Sequence, residues 1–314
     1  MSTVQNEQLT AAYAACRAIA KREAKNFYYS FRVLPQHKSD AMCAIYAFMR
    51  KADDLSDDES MSLEERRAAM AAWTAGWRAS RSGPTSDVIF TAVNDTQQRF
   101  GISDELLEQL VAGTTLDLQP QPDGVVVHPL SDGRTIQIYE DFEALEHYCY
   151  LVASVVGLVC IRIFGYTDAS AEKLAVDTGI AFQLTNILRD VKEDAERGRI
   201  YLSADLLRKH GVSPERLLAV CGGAVVQGNE LALLHDVEST AQRLYRSSDV
   251  LIPLLDKDSR PAMGVLARIY HGLLDRIAAD PSAIFRERVS VPTSQKLAVL
   301  GSGIVQSLWA KVGG

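Results

Sequence analysis

QLTNILRDVKEDAERGRIYL, residues 183–202, decides how the rest of the chain is read. Through it and upstream of it, Val176, Ile180, Ala181, Phe182, Leu184, Ile187, Leu188 and Val191 cover most of the circumference of a helix expected over 169–196. A helix that is apolar nearly all round is a buried one. Yet Gln183, Asn186, Asp190 and Asp194 follow at steps of 3, 4 and 4, which puts them on one face, with Arg189 beside them. A buried helix has gathered its polar residues into a single seam.

A second helix repeats the pattern. Over 36–53, Met42, Cys43, Ala44, Ile45, Ala47, Phe48, Met49 and Ala52 are apolar around most of the circumference, while Tyr46, Arg50, Asp53 and Asp57 stand at steps of 4, 3 and 4. Each seam holds a carboxylate pair at i,i+4, a like-charge arrangement that costs a helix a few tenths of a kcal/mol. The first pair lies in DDLSDDE, five acids in seven residues, at a helix C-terminus where the dipole already disfavours negative charge. Such a cluster calls for a cation. Magnesium takes one or two carboxylates together with substrate phosphates. One DDxxD-like run is ordinarily a solvated helix end; two of them, each on an apolar helix and each with arginine, point to a site.

These seams suit the ionisation of an allylic diphosphate. Metal ions and arginines stabilise the departing charge, and apolar walls hold the prenyl chains and exclude the water that would quench a carbocation. A non-catalytic scaffold would keep the cavity but has no use for both carboxylate pairs. A terpene cyclase acting on one diphosphate shares the metal chemistry.

Working outward, the chain has 314 residues, 47% of them hydrophobic, and a net charge of −7, which speaks against a nucleic-acid partner. Five cysteines without a CxxC pair read as small buried hydrophobes rather than disulfides or zinc ligands. MSTVQNEQLT lacks the regions of a signal peptide, and Leu151–Ile161 is too short to span a bilayer, so a cytoplasmic protein is expected. Peripheral contact with the inner membrane face, for product release, stays open. Helices are expected over 8–26, 36–53, 63–80, 85–99, 103–117, 139–163, 169–196, 203–210, 213–221, 225–254, 258–279 and 293–309. Ser62 with Glu65 forms a capping box, and Ser213-Pro214 opens a helix. Residues 119–137, rich in proline, glycine and β-branched residues, read as an inserted loop or small hairpin, for which a tolerated surface insertion is the expectation. The whole, 1–314, reads as one all-α domain. No GxGxxG is present, so no nucleotide cofactor is read from the residues. Past Gly198, Arg199-Ile200-Tyr201 is expected to fold back to the seam end carrying Asp194, as a lid over bound diphosphate.

KNFYYSFRVLP (25–35), AIYAFMRKADDLSDD (44–58), YCYLVASVVG (148–157) and the opening stretch together resemble the squalene/phytoene synthase family, in the right order over about residues 10–290. The resemblance implies an isoprenoid synthase fold with a central cavity, head-to-head prenyl condensation, and magnesium, or manganese, as cofactor. It implies Asp53 and Asp57 as the first metal motif and Asn186, Asp190 and Asp194 as the second. It implies Tyr46, Arg50, Gln183, Arg189, Arg199 and Tyr201 at diphosphate or the cyclopropyl intermediate, and Tyr270 and Arg288 as the family's late tyrosine and phosphate-binding arginine. Where many relatives begin a phosphate-binding segment with His-Ser-x-Ser-Phe, this chain has Glu23-Ala24-Lys25-Asn26-Phe27, leaving Lys25, Asn26 and Phe27 for that role. The wording looks closer to bacterial presqualene diphosphate and squalene synthases, which implies farnesyl diphosphate, with NADPH needed only if the reaction continues to squalene. Phytoene synthesis from geranylgeranyl diphosphate is the alternative. Phe31 and Cys43 would lie near the cavity wall by the same resemblance.

Overall fold

Two helices with no free apolar face dictate the architecture, because each must be wrapped by others. The computed structural model describes residues 3–119 and 122–312, with the side chains of 3, 4, 25, 26, 117 and 307–312 outside that description. The central helix α3 (Gln36–Ser56) is wrapped by α1 (Thr3–Glu23), α2 (Lys25–Phe31), α4 (Leu63–Ser80), α5 (Val88–Phe100) and α6 (Asp104–Thr114). Phe48 on α3 sits 4.6 Å from Trp73 and 5.2 Å from Trp77, the latter fully buried on α4. The second central helix, α9 (Ser170–Glu196), packs against α12 (Gly228–Leu254) and α13 (Arg260–Ala279) and forms its own core with them. Short helices α10 (Ala204–Lys209) and α11 (Pro214–Cys221) follow α9, and α14 (Thr293–Val312) closes over α13.

Between these two cores runs α7 (Phe142–Cys149), a π-helical turn (Tyr150–Ser154) and α8 (Val155–Phe164) without a break. The 139–163 helix is therefore present, starting after the Asp141 cap rather than at Tyr139. Phe142–Phe164 is 23 residues long and apolar enough to cross a bilayer by length and composition, longer than the Leu151–Ile161 run indicates. Its side chains Val152, Ala153, Val156 and Cys160 face an internal cavity instead. The π turn is approached backbone to backbone from both sides. A Cβ at Gly113 of α6 would sit 2.5 Å from the Leu151 carbonyl oxygen, and one at Gly179 of α9 would sit 2.6 Å from Ser154 Cα. Ser154 Oγ donates to the Val176 carbonyl at 2.7 Å, tying the turn to α9.

The caps read from sequence are in place: Ser62 and Glu65 form the reciprocal box, and Ser213 accepts from Arg216 N–H ahead of α11. The 8–26 helix is instead two, broken at Ala24, because the aromatic run of α2 turns to pack on α13. Residues 119–137 contain a hairpin, β1 (Val125–Pro129) antiparallel to β2 (Thr135–Tyr139), with Pro120 and Gln121 outside the described residues. This is no free surface insertion. Strand β2 pairs in parallel with β3 (Arg199–Ile200), and Ile136, Ile138 and Tyr139 are buried in the α9 core. The chain is about 74% helical, so the three strands are a local device on an all-α fold.

Replacing the close-contact glycine should be costly: Gly179→Ala is expected to lower stability by about 1–3 kcal/mol through forced backbone separation. Gly264→Ala, mid-α13 with nothing within 4 Å of the added methyl, should instead raise it by roughly 0.5–1 kcal/mol. Urea denaturation of the two variants beside the parent checks the contrast.

Candidate active site

The two polar seams look into one cavity of about 450 Å³. From α3 it receives Met42, Ile45, Tyr46, Met49, Arg50 and Asp53; from α9, Phe182, Gln183, Asn186 and Arg189. Helix α3 continues to Ser56, and the Asp57 N–H donates to the Asp53 carbonyl, so Asp53 and Asp57 stand one turn apart on a single stripe. Arg50 pairs with Asp54 at 2.6 Å, a partner the sequence reading left unassigned, while its Nε is buried without a hydrogen-bond partner. Burial pushes the Tyr46 hydroxyl up to about 12, which keeps it neutral at any working pH.

On the second seam, Asn186 Nδ2 donates to Gln183 Oε1 at 3.2 Å, and Asn186 Oδ1 is buried with no partner. Asp190 is bracketed by two guanidinium groups. Arg189 Nε donates to it at 2.7 Å and Arg189 also pairs with its other oxygen, while Arg288 Nε lies 3.1 Å away. Arg288 reaches Glu193 as well, at 3.3 Å. The late arginine thus meets the second motif across almost a hundred residues of chain. Burial and then the charge of Asp190 push the Asp194 carboxyl up to about 7, partly offset by Arg197 and Arg199. Arg199 therefore lies where the fold-back of the 199–201 segment was expected to bring it.

Among the described residues no three His, Cys, Asp or Glu side chains converge as a cage. The donor set nonetheless fits a hard divalent cation held jointly with a diphosphate, since such a cation takes few carboxylates from the protein. The amide oxygen of Asn186, buried and without a hydrogen-bond partner, is an oxygen donor that such a cation would complete.

Aromatic rings complete the wall. Tyr270, buried on α13, stacks on Phe182 at 4.5 Å and lies 5.8 Å from Phe27; burial raises its hydroxyl, partly offset by Arg189 and Asn186. Phe27 and Glu23 both line the cavity, whereas the side chains of Lys25 and Asn26 lie outside the described residues. An acid, Glu23, thus faces the cavity at the end of α1.

A second lobe of about 230 Å³ shares Met49, Asp53, Val152 and Val156 with the main cavity and adds Asp57 and Tyr148. Tyr148 was not among the candidates from sequence, though it opens the quoted YCYLVASVVG and stands one turn before Val152. Its ring stacks on Tyr201 at 4.9 Å and lies tilted against Tyr139 at 5.3 Å, and Tyr139 stacks on Tyr201 at 5.9 Å. Arg199–Ile200, the strand β3, leads into this stack, and the preceding Gly198 carbonyl accepts from Gln137 N–H at 2.9 Å, so the segment is paired with β2. Arg199, Tyr201, Asp190, Asp194 and Arg288 stand outside the main cavity lining, beside the residues that form it.

Known proteins resemble this chain in sequence and fold. The model of the squalene/phytoene synthase family matches residues 20–295. The presqualene diphosphate synthase of Zymomonas mobilis is 32% identical over 284 residues, covering 90% of this chain and 89% of its own. The phytoene synthase of Mycobacterium tuberculosis is 30% identical over 303 residues, with 96% and 93% covered. The crystal structure of a dehydrosqualene synthase with ligand superposes with a TM-score of 0.79 at 28% identity, over 95% of this chain and 97% of that one. A squalene synthase from Alicyclobacillus acidocaldarius, at 22% identity and a TM-score of 0.74 over 86% of this chain and 94% of its own, shares the fold. With two polar seams facing one cavity and a family match over most of its length, the chain belongs to the squalene/phytoene synthase family and is a prenyltransferase of the head-to-head condensing type.

Proposed function

We propose that the chain joins two farnesyl diphosphates to presqualene diphosphate, and carries this on to squalene where NADPH supplies the reductant. The observation that supports the shorter substrate is the far end of the main cavity, closed by the bulky buried side chains Phe31, Met42, Phe164 and Met263. Cys43 is buried on the same turn of α3, behind Met42.

Asp53 and Asp57 on one side, with Asn186, Asp190 and Asp194 on the other, are the residues that would hold magnesium or manganese. Such a cation supplies Lewis-acid and charge stabilisation to a leaving diphosphate. Arg50, Arg189, Arg199 and Arg288 offer charge-assisted bonds to phosphate oxygens. Arg50 holds Asp54, and Arg189 and Arg288 hold Asp190, so an arriving diphosphate exchanges one anionic partner for another. Lys25, Asn26 and Phe27 stand at the start of α2 on the same reading. Gln183 orients Asn186, Tyr46 and Tyr270 present neutral hydroxyls and π faces to the reacting carbons, and Tyr148, with Tyr201 stacked on it, presents a π face from the second lobe. The apolar walls keep water from the cation. A cytoplasmic enzyme touching the inner membrane face to release an apolar product belongs to the same proposal.

The second reading, phytoene from geranylgeranyl diphosphate, rests on relatives named phytoene synthases, such as that of Mycobacterium tuberculosis. Purified protein given magnesium and each diphosphate, with products identified by mass spectrometry, separates the two. A C30 product at the higher kcat/KM is expected, and a preference for the C20 substrate would overturn the farnesyl reading. Turnover should vanish on EDTA treatment and return with magnesium or manganese; full activity after exhaustive chelation would remove the metal assignment.

Asp53→Asn is expected to lower kcat at least ~10²-fold. Asp190→Asn should lose activity similarly but also lower Tm, since Arg189 and Arg288 both lose their carboxylate. Near-parental rates in both variants would show these acids to be only helix charge.

A further inference from the structure

Three of the residues that close the far end of the cavity are each tied, within a turn, to a polar knot that the chemistry above does not use. Lys38, on the first turns of α3 with 7% of its side chain exposed, is its centre. Its ammonium group donates to the Phe164 carbonyl at 2.8 Å and to Ser259 Oγ at 3.0 Å. It also meets Asp256 Oδ2 at 3.0 Å and Asp258 Oδ1 at 2.7 Å. Four acceptors for three N–H donors leave the group fully engaged. Ser259 Oγ donates to the same Phe164 carbonyl at 2.8 Å.

The backbone around the knot is stitched as well. Asp256 N–H donates to the Gly165 carbonyl at 3.0 Å and Thr167 N–H to the Leu254 carbonyl at 3.0 Å. Gly165, at φ +73, has no room for a side chain: its Cβ would lie 2.0 Å from Asp256 Oδ2. The end of α8, the start of α3 and the α12–α13 turn are thereby joined at one point. Each carries part of the floor: Phe164 itself, Met42 one turn beyond Lys38, and Met263 one turn beyond Ser259.

We propose that the Lys38 knot is a specificity clamp that fixes the depth of the prenyl cavity and so the longest chain the enzyme accepts. It rests on the reading of that cavity as the prenyl site. Lys38 touches no substrate; it is a positioning residue that acts through the floor. An apolar wall discriminates by roughly 10- to 200-fold per methylene, but only while it does not yield. Methionine side chains adapt readily, so Met42 and Met263 measure length only if the backbones beneath them are held.

The test compares kcat/KM for the C15, C20 and C25 all-trans prenyl diphosphates, with Tm, in the parent, Lys38→Met, Ser259→Ala and Asp258→Asn. The ratio of the next longer chain to the parent's preferred chain should rise at least ~10-fold in Lys38→Met and by less in the two milder variants. An unchanged ratio with a lowered Tm would overturn the clamp and leave the knot a structural tie. Where Lys38→Met does not fold, Ser259→Ala and Asp258→Asn decide by the same ratio. A parent that prefers C20 overturns the farnesyl reading alone, and the clamp is then scored on C25 against C20. A parent that turns over none of the three removes the clamp with the reading it rests on.

Discussion

Carboxylates at i,i+4 on a helix that is otherwise buried have two outlets: a facing cavity, or cations brought to them. Both α3 and α9 carry such pairs, and the molecule supplies both outlets at once. Each helix is wrapped largely by its own neighbours, α1, α4 and α5 for α3, α12 and α13 for α9, with α8 touching both, and each turns part of its seam toward the shared cavity. The cavity between them follows from this constraint rather than from imperfect packing. Side chains large enough to fill it would have to cover the charge of Asp53 and the amide of Asn186, and taking such groups from water is costly. Arginines from outside the seams then gather at the rim: Arg288 reaches Asp190 from beyond α13, where local sequence places nothing.

What the sequence makes legible is what depends on periodicity and caps. The seams, the Ser62–Glu65 box, the Ser213 start and most helix bounds depend on residues a few positions apart. What it hides depends on meetings across the chain. The break at Ala24 has no proline or glycine to mark it; α2 turns because its aromatic residues pack on α13. The π turn at Tyr150–Ser154 reads as ordinary helix, and only the close approach of Gly113 and Gly179 gives it away. Arg50 reads as a free phosphate ligand, yet Asp54 one turn on holds it. Tyr148 was visible within a quoted motif but has no periodic signal that separates it from a core tyrosine.

The hairpin is the clearest case of local reading giving the wrong role. Proline, glycine and a valine run describe a surface loop well, and Val127 is indeed exposed. Its second strand, however, supplies the partner for β3, and its last residue, Tyr139, joins the stack of Tyr148 and Tyr201. A two-residue strand has too few hydrogen bonds to hold itself. Arg199 and Tyr201 therefore owe their placement to a segment some sixty residues upstream, and the ordering entropy of that segment is met before any ligand arrives.

The rim and the floor solve opposite problems with the same chemistry. At the floor, the Lys38 ammonium is engaged by four acceptors and has 7% of its side chain exposed. At the rim, Arg189 holds Asp190, and Arg288, with 50% of its side chain exposed, spans Asp190 and Glu193. Ion pairs open to water are weaker than enclosed ones. On the proposed reading, a diphosphate arriving at the rim would exchange with these open pairs. Rigidity would then be concentrated where chain length is measured, and exchangeable charge where phosphate comes and goes.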